Sequence, residues 1–200
     1  AFTSCIGHSI RESMYPIIED IKVFLTYPQT MRSIMICGPH KSGKHHLLRC
    51  IMQYLKIDTE QLLHIDCAAI ALGKLTISDI MQRIDTSLDQ EKSNIILFEN
   101  LDALTELPAS ITTMETLLRF YQRMAESNEL NLLFLAVTAM NEHFLQLQKL
   151  FQKVYELPDL NSRTLKEKYE FVLHFMQNEA DAIGKTISLS SSILLQYIYG

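Results

Sequence analysis

Gly38-Pro39-His40-Lys41-Ser42-Gly43-Lys44-His45 decides how the rest of this chain folds. It follows the apolar run Ile34-Met35-Ile36-Cys37 and precedes His46-Leu47-Leu48-Arg49-Cys50-Ile51-Met52, a helix-like run. Strand, glycine loop and helix, in that order, is the setting a phosphate-binding loop needs. Glycines at both ends let the backbone curl and turn its N–H groups inward, and the helix N-terminus adds partial positive charge. The pattern G-x-x-x-x-G-K is complete to Lys44, which is placed to reach the outer phosphates of a nucleotide. Gly38, Pro39, His40, Lys41, Ser42, Gly43, Lys44 and His45 are therefore the candidate nucleotide contacts. The hydroxyl residue expected after the lysine is His45 instead. That hydroxyl normally ligates Mg²⁺, a hard cation that takes oxygen, so the loop suits a nucleotide better than its metal. A glycine-rich turn with no ligand is the alternative, and the agreement of motif and flanks weighs against it.

Outward from the loop, the chain alternates. Ile10, Met14, Ile17, Ile18, Ile21 and Leu25 recur at helical spacing and predict a helix of about 15 residues, ended by Pro28. Short apolar runs at 33–37, 62–65, 94–98, 132–137 and 154–157 read as strands, the central ones buried on both faces. Helices are expected to about Leu55, over Leu75–Leu88 with Ser78 as cap, and from about Thr113 to Glu126 after a loop at Pro108. Others are expected near Glu142–Leu150, over Ser162–Asn178 and over Leu189–Tyr199. Strands alternating with helices imply a parallel sheet covered on both faces. Ligands of such sheets bind beyond the carboxyl ends of the strands. The loop, Glu99-Asn100 and Thr138 all fall at such ends.

Length and composition set the bounds. Two hundred residues suffice for one compact α/β domain, or for one domain and the start of another. A net charge of −5 gives no electrostatic reason to expect nucleic acid. Cys5, Cys37, Cys50 and Cys67 lack paired ligand spacing and read as reduced thiols of an intracellular protein. No apolar run is long enough to insert in a membrane, and the N-terminus lacks a signal-peptide layout. A chain that starts without Met and stops at Gly200 is expected to be a piece of a longer protein.

Glu99 ends the strand Ile95-Ile96-Leu97-Phe98, where an acid helps hold Mg²⁺ through water. The next position usually carries the carboxylate that activates water; here it is Asn100, whose amide orients water but takes no proton. Glu99 as a plain strand-end carboxylate is the alternative. The Thr138 hydroxyl is a candidate contact for a γ-phosphate or its water, or simply a β-branched residue at a strand end. Asn141 is a further polar candidate. His40, His45 and His46 cluster without a cysteine or carboxylate beside them and read as loop residues rather than a zinc site.

The loop, the acid strand, the polar strand and Pro158-Asp159-Leu160-Asn161-Ser162-Arg163 together resemble the AAA+ ATPase module over nearly the whole chain. Cys67-Ala68-Ala69 with Leu72-Gly73-Lys74 resembles the segment after its second strand. The resemblance implies a three-layer α/β P-loop NTPase fold with a five-stranded parallel sheet ordered 5-1-4-3-2. Residues 1–161 would form the large nucleotide-binding subdomain, and 162–200 the truncated start of a helical lid. It implies ATP and weakly held Mg²⁺ as cofactors.

The departures point to degeneracy: His45 for the metal-binding hydroxyl, Glu99 for aspartate, Asn100 for the catalytic glutamate, Ala139 for the sensor asparagine. Leu150-Phe151 stands where Arg-Phe would offer an arginine finger, and neither Lys149 nor Lys153 has arginine's planar fork. Asp66-Cys67, Asn100-Leu101-Asp102-Ala103-Leu104 and Leu117-Leu118-Arg119-Phe120 make the first ATPase domain of the peroxisomal AAA peroxins the most similar subfamily. That likeness implies neighbouring AAA+ subunits in a homo- or hetero-hexamer, and a protein substrate or adaptor. It also implies a cytoplasmic place, peripheral at the peroxisomal membrane, where the motor extracts ubiquitinated import receptors. The competing expectations are a nucleotide-free ciliary or other scaffold, and a weakly active ATPase using Glu99 and Asp102. A small-molecule kinase would need clustered lid arginines, and the arginines here do not cluster.

Overall fold

The computed structural model describes residues 8–40, 42–88, 91–106, 131–142 and 144–157, with 112, 115–116, 118–119, 123, 164–169 and 173. Five strands form one sheet: β1 (Ser33–Gly38), β2 (Leu62–Asp66), β3 (Asn94–Glu99), β4 (Leu132–Ala139) and β5 (Lys153–Glu156). Their order is β2-β3-β4-β1-β5, and every pairing is parallel. This is the expected order, with β4 between the loop strand and the acid strand.

Every residue of β1 and β4 is buried, so these strands read as unbroken apolar runs. Their side chains nevertheless alternate between two cores, because successive Cβ atoms point to opposite faces. Met35, Ile96, Phe98, Phe134 and Ala136 face one core. There they meet Ile80 and Ile84 of helix α4 (Ile77–Ser87). Ile34, Ile36, Ile95, Leu97 and Leu135 face the other. That core is closed by α1 (His8–Thr26) and α2 (Lys44–Tyr54).

Helix α1 is longer than its periodicity predicts and runs through Pro16. Proline removes a backbone donor inside a helix. Burial of Met14, Ile17, Ile18, Ile21 and Phe24 holds the helix regardless. The Tyr155 hydroxyl of β5 donates to the Asp20 carboxylate and pins α1 to the sheet edge.

A short helix, α3 (Cys67–Ala71), leaves β2 where the sequence suggested only a connection. Asp66 caps it by accepting from the Ala68 amide at 3.0 Å. The cap of α4 is Thr76, not Ser78. Thr76 is extended, its Oγ1 accepts from the Asp79 amide at 3.1 Å, and the Asp79 carboxylate accepts from the Thr76 amide at 2.8 Å. Ser78 lies inside the first turn, where its side chain is not the capping group. Thr76→Ala should therefore cost about 1 kcal/mol in urea unfolding. The Thr76 hydrogen bonds hold the Asp79 carboxyl below its ordinary value. Its contribution is present above the usual carboxylate range and lost as pH falls through the lowered native value. The gap between variant and parent should narrow at strongly acid pH without closing, because the cap on the Asp79 amide does not titrate.

Of the helix expected at 113–126, residues 115, 116, 118, 119 and 123 are helical, as is 112. Pro108, most of 162–200 and the expected 161–162 boundary lie outside the described residues, though 165–169 and 173 are helical. The segment after Glu99 is a 3₁₀ helix, Leu101–Glu106. No described helix is long and apolar enough to cross a membrane. Cys37, Cys50 and Cys67 are buried free thiols. Burial pushes Cys37 up to about 11, so it stays a protonated thiol at neutral pH.

Candidate functional site

Strand register brings the expected segments to one edge. Gly38 of β1 lies level with Ala139 of β4, Cys37 with Thr138, and Asp66 of β2 with Glu99 of β3. Four strand ends therefore share the carboxyl edge of the sheet.

The loop is drawn tight across that edge. Gly43, the N-cap of α2, adopts φ 86° and ψ 17°, a left-handed conformation that glycine takes without steric cost. No side chain caps α2. The amides of its first turn have no acceptor within the helix, and its dipole favours an anion there. A Cβ on Gly38 would come within 3.0 Å of the Leu157 carbonyl oxygen and of Ser42 Oγ, so the loop closes only around glycine. Lys44 is buried and folds back on the loop. Its Nζ donates to the carbonyls of Gly38 at 2.9 Å and Pro39 at 2.6 Å, and to Ser42 Oγ at 3.3 Å. Burial lowers its pKa, while Asp102 and Cys37 partly oppose that shift. Pro39 is half-buried, Ser42 buried and His40 exposed, and Lys41 lies outside the described residues.

Glu99 is the centre of the second group. It lies on the same face of β3 as Ile95 and Leu97, the face that α2 covers. One oxygen accepts from His45 Nδ1 at 3.0 Å and the other from His64 Nε2 at 2.6 Å. A carboxylate only accepts, so each ring carries its hydrogen on the nitrogen facing Glu99. In sequence the loop histidines have no carboxylate beside them; the fold brings Glu99 to His45. It also supplies His64, which no spacing rule singled out. Only the register of β2 against β3, with His64 level with Leu97, puts it there.

The remaining candidates are engaged elsewhere. Asn100 has a φ of 55° and donates from Nδ2 to Asp66 Oδ1 at 3.0 Å. The Thr138 hydroxyl is buried and donates to the Ala139 carbonyl at 2.9 Å. Strand alternation sets Thr138 with Phe134 and Ala136, on the face away from Glu99. Asp102 Oδ1 accepts from the Ala139 amide at 3.1 Å, and Asn141 Nδ2 donates to Thr105 Oγ1 at 2.7 Å. A cavity of about 420 Å³ opens near Leu62, Leu88 and Lys92, at the opposite, amino-terminal end of β2 and β3.

The Mg²⁺ that accompanies a nucleotide in such loops does not fit the donors present. It requires oxygen ligands in near-octahedral geometry, whereas imidazole suits softer metals. Position 45 offers an imidazole, and Glu99 has both oxygens bonded to histidine rings. Among the described residues no group of three or more His, Cys, Asp or Glu side chains is arranged to hold a metal ion.

No protein-family model and no curated protein matches the chain. Solved structures do. AMPPCP-bound DnaA from Aquifex aeolicus superposes with a TM-score of 0.56 at 11% identity, over 96% of this chain and 57% of that one. PCH-2 from C. elegans superposes with a TM-score of 0.52 at 14% identity, over 92% of this chain and 50% of that one. This chain thus spans about half the length of the proteins it matches. At such identities the likeness is one of fold: the chain has the α/β P-loop fold of the AAA+ ATPases.

Proposed function

We propose that this chain is a degenerate AAA+ module that binds ATP through Gly38–Lys44 and hydrolyses it slowly or not at all. Its work is to support assembly and force transmission in a hexamer. The observation that carries this reading is the pairing of a closed glycine loop with a strand end that sets an amide, Asn100, where the water-activating carboxylate would stand. Glu99 is held by His45 and His64, and Asn100, at the position of the water-activating carboxylate, is bonded to Asp66. The AMPPCP bound to DnaA supports a nucleotide on this fold. Residues 1–161 form the nucleotide-binding subdomain and 162–200 begin a helical lid. The sequence likeness to the peroxins adds the setting: a receptor-export motor, cytoplasmic and peripheral at the peroxisomal membrane, whose other contacts are a protein substrate or adaptor.

A thermal melt with and without ATP tests the binding step. At about 100 times its Kd, ligand stabilises the native state by about 2.7 kcal/mol. For a chain of this size that raises the midpoint by about 5–10 °C. A specific observation favours a second reading, the nucleotide-free scaffold: Lys44 already has three acceptors within its own loop. Unchanged midpoints at millimolar ATP would select that reading.

A further inference from the structure

We propose that this site takes its nucleotide as the metal-free polyphosphate, the His45–Glu99–His64 clamp standing where Mg²⁺ and its waters would lie. The proposal rests on the nucleotide reading of Gly38–Lys44 and goes beyond it, because it names the form of the ligand.

Three carboxylates end up beside β3 and β4 at the carboxyl edge, and each has a protein donor. Glu99 is bonded on both oxygens, by rings from two different elements, α2 and β2. Asp66 caps α3 and accepts from Asn100. Asp102 accepts from the Ala139 amide at the end of β4. A hydrated magnesium ion reaching Glu99 would have to compete with two imidazole donors for its oxygens. Hydrogen bonds to a carboxylate are stronger than neutral ones, and Mg²⁺ gives up its own waters reluctantly. It would also lack its usual anchor, since His45 brings a ring nitrogen where the hydroxyl oxygen belongs. The groups that meet phosphate in this loop, the Lys44 ammonium and the first-turn amides of α2, act without a metal. Phosphate recognition and metal recognition are therefore separable here: the first rests on Lys44 and the α2 amides, and the second would rest on Glu99, which His45 and His64 already bond.

The test is equilibrium binding of ATP to the 200-residue chain by titration calorimetry, in EDTA and again in excess Mg²⁺. The expected Kd in EDTA equals or betters that in Mg²⁺. Native binding that is about tenfold or more tighter with Mg²⁺ would overturn the proposal. The variant His45→Thr with His64→Ala restores the oxygen ligand and releases Glu99. Mg²⁺ should then tighten its binding by about tenfold. Glu99→Gln is a milder second variant. Its affinity should remain indifferent to Mg²⁺, and a loss confined to Mg-ATP would count against the proposal. Absence of ATP binding to the native chain in both buffers is a separate result. It would remove the nucleotide reading itself, and this proposal with it.

Discussion

Phe134→Ala is expected to cost about 3–5 kcal/mol, the loss typical of emptying a buried phenylalanine site. At this chain length that lowers the melting midpoint by about 6–20 °C. Phe134 is completely buried in the middle of β4. Its ring stacks on Phe98 of β3, with centroids 5.9 Å apart and planes 7° from parallel. Its neighbours across the sheet are Ser33 of β1 and Ile96 of β3, and its ring stands off the sheet face with Met35 and Phe98, so the cavity would open over the strands that carry the glycine loop and Glu99. Those strands are fixed by backbone hydrogen bonds on both sides and cannot move in to fill it. Urea unfolding should show a lower midpoint at an unchanged slope. A loss under about 1 kcal/mol would mean that the core collapses around the gap, contrary to this packing. Leu145→Ala is the control: Leu145 is 68% exposed, and its truncation should stay within about 0.5 kcal/mol.

The same burial explains which strands are legible in the sequence. The central strands announced themselves because both faces are covered, which makes Leu132–Val137 and Ile95–Phe98 continuous apolar runs. The strand order was legible only through resemblance to a known module, since no periodicity encodes which strand pairs with which. The errors have local causes. Thr76 and Ser78 are both cap residues by type, and only backbone conformation distinguishes the extended Thr76 from a residue inside the turn. Pro16 stands inside α1, and tertiary burial on both sides of it outweighs one missing hydrogen bond. The alternation of β3 and β4 was in the sequence, and counting from Phe98 and Phe134 separates Glu99 from Thr138. His64 was invisible for a different reason: its meeting with Glu99 depends on parallel register across 35 residues of sequence.

Lys44→Ala is expected to abolish the nucleotide-induced rise in midpoint and to weaken ATP binding by about 30- to 150-fold, the equivalent of 2–3 kcal/mol for a lost charge-assisted contact. Ligand loss has to be told apart from collapse of the loop, because Lys44 also ties Gly38, Pro39 and Ser42 together. Lys44→Met makes that separation. It keeps most of the buried stem and loses only the ammonium with its three ties, so any fall in its unliganded midpoint reports those ties, and a vanished ATP response is read against that baseline. The lowered pKa of Lys44 supplies a second signature. Burial makes the native state hold this proton less tightly than the unfolded chain, whose lysine titrates near 10.5. The unliganded parent should therefore gain stability from this group as pH rises from the lowered native value toward 10.5. Nucleotide acts in the opposite sense, because phosphate oxygens favour the charged ammonium. ATP affinity should fall over the same alkaline range in the parent and stay flat in Lys44→Met. A parent whose ATP response persists undiminished after the lysine is removed would place the nucleotide, if bound at all, away from Gly38–Lys44. A protein with no response before or after would be the scaffold, its loop held shut by its own lysine.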